Sequence, residues 1–479
     1  MAGVYRRPQW KGLDFSMQPH PPTSPVAFPD LSAELWQSAV RVLDTNWSGE
    51  HTVPSRRLYP HQWSWDTAFI AVGLAYVDPT RAWRDLRQLF EAQWPDGRVP
   101  HIVFDPATAE DDYFPGPGFW NVPVLAGRPA RRSTGIVQPP LHALAAWEVY
   151  RHAAGHGAAC ASEARTELAW LYPRLVAQQE YLTERRDAGG TGLASIVHPW
   201  ESGLDNSPAW DQALAEVPAD MSLLERYHRR DLAVSDAAHR PTDQDYARYV
   251  GLVLNYRDGG YSDNELVNRH PFAVECPAFN SILGVAELAL TQIAGVLGRT
   301  TDAGRHRDRA REITAAISRH LWEPASRTFR ARDARTGRLS PVRCVSGLLP
   351  LMLPDLPADQ AQAIMAEARS ERFGLPAPSV DRTAGSFDTH RYWRGPVWIN
   401  VNWLLRRGMQ VHGFRGEAEE LRRALLRLVH EHGHYEYFHP GTGAGLGAPT
   451  FSWTAALCLD LLADRSAPAY SRAGQRVLG

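Results

Sequence analysis

Five short stretches of this 479-residue chain gather residue types suited to acid–base chemistry on a polyhydroxylated ligand. They are Tyr59-Pro-His-Gln-Trp-Ser-Trp-Asp66, Trp94-Pro-Asp-Gly-Arg-Val-Pro-His101, His198-Pro-Trp-Glu-Ser-Gly-Leu-Asp-Asn-Ser-Pro208, Tyr392-Trp-Arg-Gly-Pro-Val-Trp-Ile-Asn400 and His434-Tyr-Glu-Tyr-Phe-His-Pro-Gly-Thr-Gly443, the last followed by Phe451-Ser-Trp453. Indole and phenol faces stack on the C–H faces of a sugar ring, and its hydroxyls need paired polar groups. The carboxyl groups of Asp66, Asp205 and Glu436 add proton donors and acceptors. Each stretch also has a plain structural reading. Leu-Asp-Asn-Ser-Pro is a good helix N-cap with proline in the first turn, so Asp205 is a cap candidate as well as an acid. Asp66 fits a helix dipole, Glu436 an ordinary loop, and Trp65, Trp398 and Trp453 a packed core. Recurrence of such clusters before several helices favours a ligand site, because a packed core does not require it.

Other signatures carry less. His430-Glu-His-Gly-His434 satisfies the H-E-x-x-H zinc pattern, which needs both histidines on one helix face. Gly433 reads as a helix terminator, so His434 is expected to leave the helix and the face is lost. Gly441-Thr-Gly-Ala-Gly-Leu-Gly447 lacks the preceding strand of a phosphate loop. No metal site and no cofactor are expected, since glycosidic acid–base chemistry requires neither.

The elements that must position these stretches are helical. Apolar residues recur at three and four spacings in 31–45, 65–77, 80–93, 138–154, 162–186, 243–257, 277–298, 302–321, 358–370, 395–412, 415–432 and 451–465. Very short links join 277–298 to 302–321 and 395–412 to 415–432, making them antiparallel neighbours. Longer aromatic and Gly/Pro-rich connections lead into the next pair, and in a closed ring they all emerge at one end. The expectation is an all-α (α/α)6 toroid, a six-hairpin barrel with long loop insertions. A minor β-hairpin is expected over Arg327–Leu339, turning at Thr336-Gly337. One catalytic domain would span 31–465, with insertions near 94–137 and 187–242, an extension over 1–30 and a tail over 466–479. An open α-solenoid scaffold or non-catalytic carbohydrate-binding module is the competing picture, although no repeat of fixed period supports it.

Composition narrows the class further. Hydrophobic residues at 44% and charged residues at 22% exclude wholesale disorder. Lys+Arg 51 against Asp+Glu 53 leaves a net charge of −2, which excludes a broadly basic nucleic-acid binder. No apolar run reaches the length of a membrane span, the longest, Val345 to Leu353, being interrupted by Pro350. Four scattered cysteines and an N-terminus without an apolar signal region fit a cytoplasmic protein. Homo-oligomer formation stays open. Seventeen tryptophans stand beside a single lysine, Lys11.

The fragment YWRGPVWINVNWLL (392–405), with WPDGRVPH (94–101), the EYFHPGTG…FSW segment (436–453) and YPHQWSWD (59–66), resembles glycoside hydrolase family 63 from about Leu31 to Asp464. This family lies within the (α/α)6 glycosidases that include trehalases. YPHQWSWD is most similar to compact bacterial members that cleave mannosylglycerate or glucosylglycerate. The resemblance implies an inverting α-glycosidase with Asp205 as general acid and Glu436 as general base, their carboxyl groups about 6.5–9.5 Å apart. Asp205 would then need a raised pKa, with Trp200 as an apolar wall. The resemblance further implies that Trp65, Asp66, Gln138, Trp393 and Trp398 shape the sugar pocket. Tyr59, Trp63, His101 and Tyr392 would lie toward the acceptor, with Gln62 a further substrate-binding candidate. A glycerate carboxylate would pair with an arginine, Arg248 beside Tyr246 being the first candidate and Arg394 the second. GLGAPTFSW (445–453) departs from the pattern by lacking an expected amide side chain. An α-glucosidase or trehalase-like enzyme acting on an uncharged di- or oligosaccharide is the alternative within the same fold. In either case the partner is a small glycoside.

Overall fold

The computed structural model describes residues 29–464 apart from 123–130, 228, 230–231, 233–235 and 265–269. The extension and tail expected over 1–30 and 466–479 lie almost wholly outside the described residues. Among the described residues there are twelve long helices: α1 Pro29–Thr45, α2 Ser64–Leu74, α3 Pro79–Glu91, α4 His142–Ala154, α5 Ala158–Arg185, α6 Asp243–Asp258, α7 Pro277–Val296, α8 Thr300–His320, α9 Ala358–Arg369, α10 Ile399–Val411, α11 Arg415–His432 and α12 Ser452–Ala463.

Two kinds of helix alternate. Every residue of α2 is buried, as are seventeen of the twenty in α7 and Ser452 to Leu461 in α12. In α11 only Ala418, Leu421, Leu425 and Val429 are buried, one stripe at helical spacing. A helix apolar all round belongs inside, and one with a single stripe covers it. Accordingly α2, α4, α7, the 3₁₀ segment Val345–Met352, α10 and α12 pack each against the next, and α12 returns to α2. This closes an inner ring of six. Helices α1, α3, α5, α8, α9 and α11 form the outer layer of an (α/α)6 barrel.

One ring position differs from the periodicity reading. The helix at 243–257 exists, but it lies in the connection between α5 and α7. The sixth inner place goes to Val345–Met352, all eight residues of which are buried. Pro350 and an apolar run without a polar face conceal this segment from a search for amphipathic helices. The membrane reading also needs correction: α7 is long and apolar enough to cross a membrane by composition, yet 83% of its apolar window is buried within the ring. Close approach closes the circle. A Cβ on Gly73 of α2 would lie 2.3 Å from the Ala456 Cα of α12, so glycine is required there.

Inner-to-outer links are short, spanning 75–78, 155–157, 297–299, 353–357 and 412–414. Outer-to-inner connections are long, spanning 46–63, 92–141, 186–276, 321–344, 370–398 and 433–451. All long connections therefore lie at one end of the barrel, where the inner helices begin. The hairpin turn forms at Thr336-Gly337, with Gly337 at φ 75° and Arg332 bridging Leu339. Thr328–Phe329 instead pairs backwards with Trp322–Glu323. Cys276, Cys344 and Cys458 are buried, while Cys160 is exposed in the first turn of α5.

Candidate active site

Glu436 stands at the start of a hairpin, Tyr437–Phe438 paired with Gly445–Leu446, and the glycine-rich run forms its turn. Phe438 also exchanges both backbone hydrogen bonds with Val397, fixing the hairpin against the segment that enters α10. The Glu436 side chain is fully buried. Its Oε1 accepts from the Tyr59 hydroxyl at 2.9 Å and the Tyr392 hydroxyl at 3.1 Å, and its Oε2 from the Ala448 N–H at 3.0 Å. Burial raises its pKa, while Arg240 and these donors oppose the shift. Hydrogen bonds to the charged form favour ionisation and so limit the rise that burial imposes.

Asp205 follows the 3₁₀ turn Pro199–Ser202 and is half-buried, whereas Glu436 is wholly buried. The helix-cap role falls to Ser207, whose hydroxyl accepts from the Ala209 N–H, so Asp205 is not the cap. Trp210 Nε1 and the Tyr249 hydroxyl donate to the Asp205 main-chain carbonyl at 3.1 and 3.2 Å, which leaves the carboxyl out of this framework. Burial pushes its pKa up to about 8; its own main-chain N–H and Arg240 pull down, and the charge of Glu436 pushes further up. A third carboxyl, Asp66 in the first turn of α2, is raised well above its usual range by burial and by the charges of Glu436 and Asp205. The fold thus brings Asp66, Asp205 and Glu436 to the same end of the ring.

Aromatic rings wall this space. Trp393 and Trp398 stack at 3.7 Å between centroids, and Trp398 also stacks on Tyr437. Trp65 meets Trp393 and Trp453, and the Asp205 loop lies directly on it, since a Cβ on Gly203 would come within 2.6 Å of the Trp65 ring. That ring, rather than Trp200, packs against the loop at this point. Trp200 stacks with His101, which in turn packs on Trp63, and Trp63 on Tyr59. Gln138 accepts from the Trp65 N–H at 3.1 Å, supplying from another loop the cap that α2 lacks. Tyr246 packs edge-on to Trp200, and the Arg229 guanidinium lies over the Tyr246 ring at 4.4 Å.

Three arginine and amide expectations change. Arg248 donates from Nε to the Val217 carbonyl at 3.0 Å and pairs with Asp245, bracing the insertion. Arg394 grips Asp211 with both terminal nitrogens, at 2.9 and 2.6 Å. Gln62 is fully buried and donates to the Asp85 carbonyl of α3, on the opposite side of its two-residue strand from Trp63. The buried arginine beside the carboxyls is Arg240. Its guanidinium lies over the Tyr392 ring at 4.9 Å and donates to the Tyr59 hydroxyl at 3.5 Å. It sits in His-Arg-Pro, outside any periodic element, so spacing gave no signal for it. His434 does leave the helix: α11 ends at His432, Gly433 takes φ 91°, and the His434 ring lies 2.9 Å from the Ser38 hydroxyl.

A ring of inner helices that opens onto carboxyls set between indole faces suits the cleavage of a glycosidic bond, and comparison with known proteins gives that class: the chain is a glycoside hydrolase. The chain belongs to the mannosylglycerate hydrolase MGH1-like glycoside hydrolase domain family, whose model matches residues 59–454. It is 40% identical over 440 residues to a mannosylglycerate hydrolase of Rubrobacter radiotolerans, covering 90% of this chain and 97% of that protein. It is 34% identical to a glucosylglycerate hydrolase of Mycolicibacterium hassiacum, covering 90% and 98%. The GH63 mannosylglycerate hydrolase of Thermus thermophilus, solved in complex with Tris and D-glycerate, superposes with a TM-score of 0.81 at 39% identity, over 89% of this chain and 99% of that one.

Proposed function

We propose that this glycoside hydrolase is an inverting α-glycosidase that cleaves mannosylglycerate, glucosylglycerate or both to the free sugar and glycerate. Asp205 donates a proton to the glycosidic oxygen as Glu436 takes one from a water on the opposite face of the sugar. The observation that carries the assignment is the contrast between the two carboxyls. Glu436 is cradled by three donors that favour its charged form, whereas burial holds the Asp205 proton up to about pH 8. Tyr59 and Tyr392 hold Glu436 in place, and the indoles of Trp65 and Trp393 face the sugar, with Trp398, stacked between Trp393 and Tyr437, backing that wall.

Relatives named for both glycosylglycerates, and a solved relative holding D-glycerate, support the acceptor. A glycerate carboxylate needs a local cation in a chain of net charge −2, and Arg240 supplies it beside Tyr59 and Tyr392. Incubation with each compound, following the released sugar by NMR, tests the reading. The β-anomer should appear first. Release of the α-anomer, or no hydrolysis of either compound alongside cleavage of trehalose or kojibiose, overturns it.

A further inference from the structure

The Asp205 loop is anchored by a buried ionic cluster that touches none of the sugar-facing groups. Glu201, four residues before Asp205, is fully buried and accepts four hydrogen bonds. Its Oε1 takes the Val137 N–H at 3.1 Å and Arg186 Nη2 at 2.8 Å; its Oε2 takes the Val197 N–H at 2.7 Å and Arg186 Nη1 at 2.8 Å. Arg186 is itself fully buried, bonded from Nε to the Tyr181 hydroxyl at 2.8 Å and paired with Asp263 at 3.1 Å. Asp263 pairs in turn with Arg98, whose Nη1 donates to the Gly135 carbonyl at 2.6 Å.

The cluster therefore joins two of the long connections at the site end. One carries Val137 and, next to it, Gln138, which caps the start of α2 at Trp65. The other carries Asp205, whose loop lies on that same Trp65 through Gly203. A carboxylate with all its acceptor positions filled, held by a planar guanidinium fork, fixes both position and orientation. Such a device suits a proton donor that must meet one oxygen atom, because a displacement of about 1 Å costs about 100-fold in rate.

We infer that Glu201, clamped by Arg186, is a positioning residue that ties the Asp205 loop to the Val137–Gln138 segment and thereby fixes where the proton donor sits. This inference rests on Asp205 being the general acid. It concerns proton delivery, so its signature depends on the leaving group. A glycosyl fluoride releases fluoride with little help from an acid, whereas glycerate must be protonated as it leaves.

The test compares wild type, Glu201→Gln and Glu201→Asp on the glycosylglycerate and on the matching α-glycosyl fluoride. Asp205→Asn runs in parallel. Glu201→Gln removes the charge, and Glu201→Asp keeps the charge but shortens the tether by one methylene. In folded variants kcat on the glycosylglycerate should fall about 100-fold with KM little changed, while fluoride hydrolysis stays within a few-fold of wild type. Asp205→Asn should show the same selectivity more strongly. Equal losses on both substrates, undiminished kcat on the glycosylglycerate, or failure of both Glu201 variants to fold would each overturn the inference. Full activity of Asp205→Asn would overturn the underlying acid assignment instead.

Discussion

Three donors close on the Glu436 carboxylate, whereas Asp205 has its own main-chain N–H and the field of Arg240. The proposed acid must be protonated, so kcat/KM should fall as pH rises through the Asp205 pKa, near 8. The base must be ionised, so activity should also fall as pH drops through the raised pKa of Glu436. Arg240 lowers both carboxyls, and removing its charge lets both rise. A pH–rate profile of Arg240→Met should therefore show both limbs displaced to higher pH. KM for a glycosylglycerate should increase about 10- to 100-fold, as expected when one charge-assisted contact is lost. Unmoved limbs would place Arg240 outside the electrostatics of the site. At this scale contiguous motifs marked stretches that the fold gathers at one end of the barrel, as for Asp205, Trp65 and Glu436. Spacing gave no warning that Arg248, beside Tyr246, donates to the Val217 carbonyl within the insertion. Arg240 left no trace because a single arginine in an irregular insertion has no period to reveal it.

At the level of elements, the base depends on a hairpin whose return strand must pass very close. Gly447 takes φ 71°, and a Cβ there would lie 2.5 Å from both Glu436 Oε2 and the Tyr437 ring. Gly447→Ala should displace Glu436 from its donors, lowering kcat about 100-fold. Circular dichroism should retain the helical signal of wild type, since the ring helices are untouched. The helices themselves were readable from periodicity because outer helices show one apolar stripe and inner ones are bounded by loop-forming residues. Their assignment to the ring was less so. A helix pattern reports that a segment is helical, not which neighbour it meets. Hence α6 was placed in the ring, while the fully apolar Val345–Met352, which has no polar face to set a phase, was passed over.

The whole molecule is a closed circuit, since α12 packs on both α2 and α1, and Asn46 after α1 bonds to the Ser452 hydroxyl that opens α12. No inner helix can leave without exposing two others. We expect 31–465 to unfold as one unit, with a single calorimetric transition whose van't Hoff and calorimetric enthalpies agree. Two resolved transitions would divide the ring into separately stable parts. The closure itself follows from alternation of short and long connections, which was legible. The depth of charge at the loop end was not, because Arg98, Arg186, Glu201 and Asp263 come from three separate stretches of sequence.

The same alternation separates the molecule into two faces with different uses. Cys160 lies just beyond the short link 155–157, at the end of the barrel away from the carboxyls, and the other three cysteines are buried. A thiol-directed dye or surface linker would therefore attach at one known point and leave the mouth of the barrel pointing away from the support. An immobilised preparation would then present uniformly oriented molecules with unobstructed substrate entry, without any engineered residue.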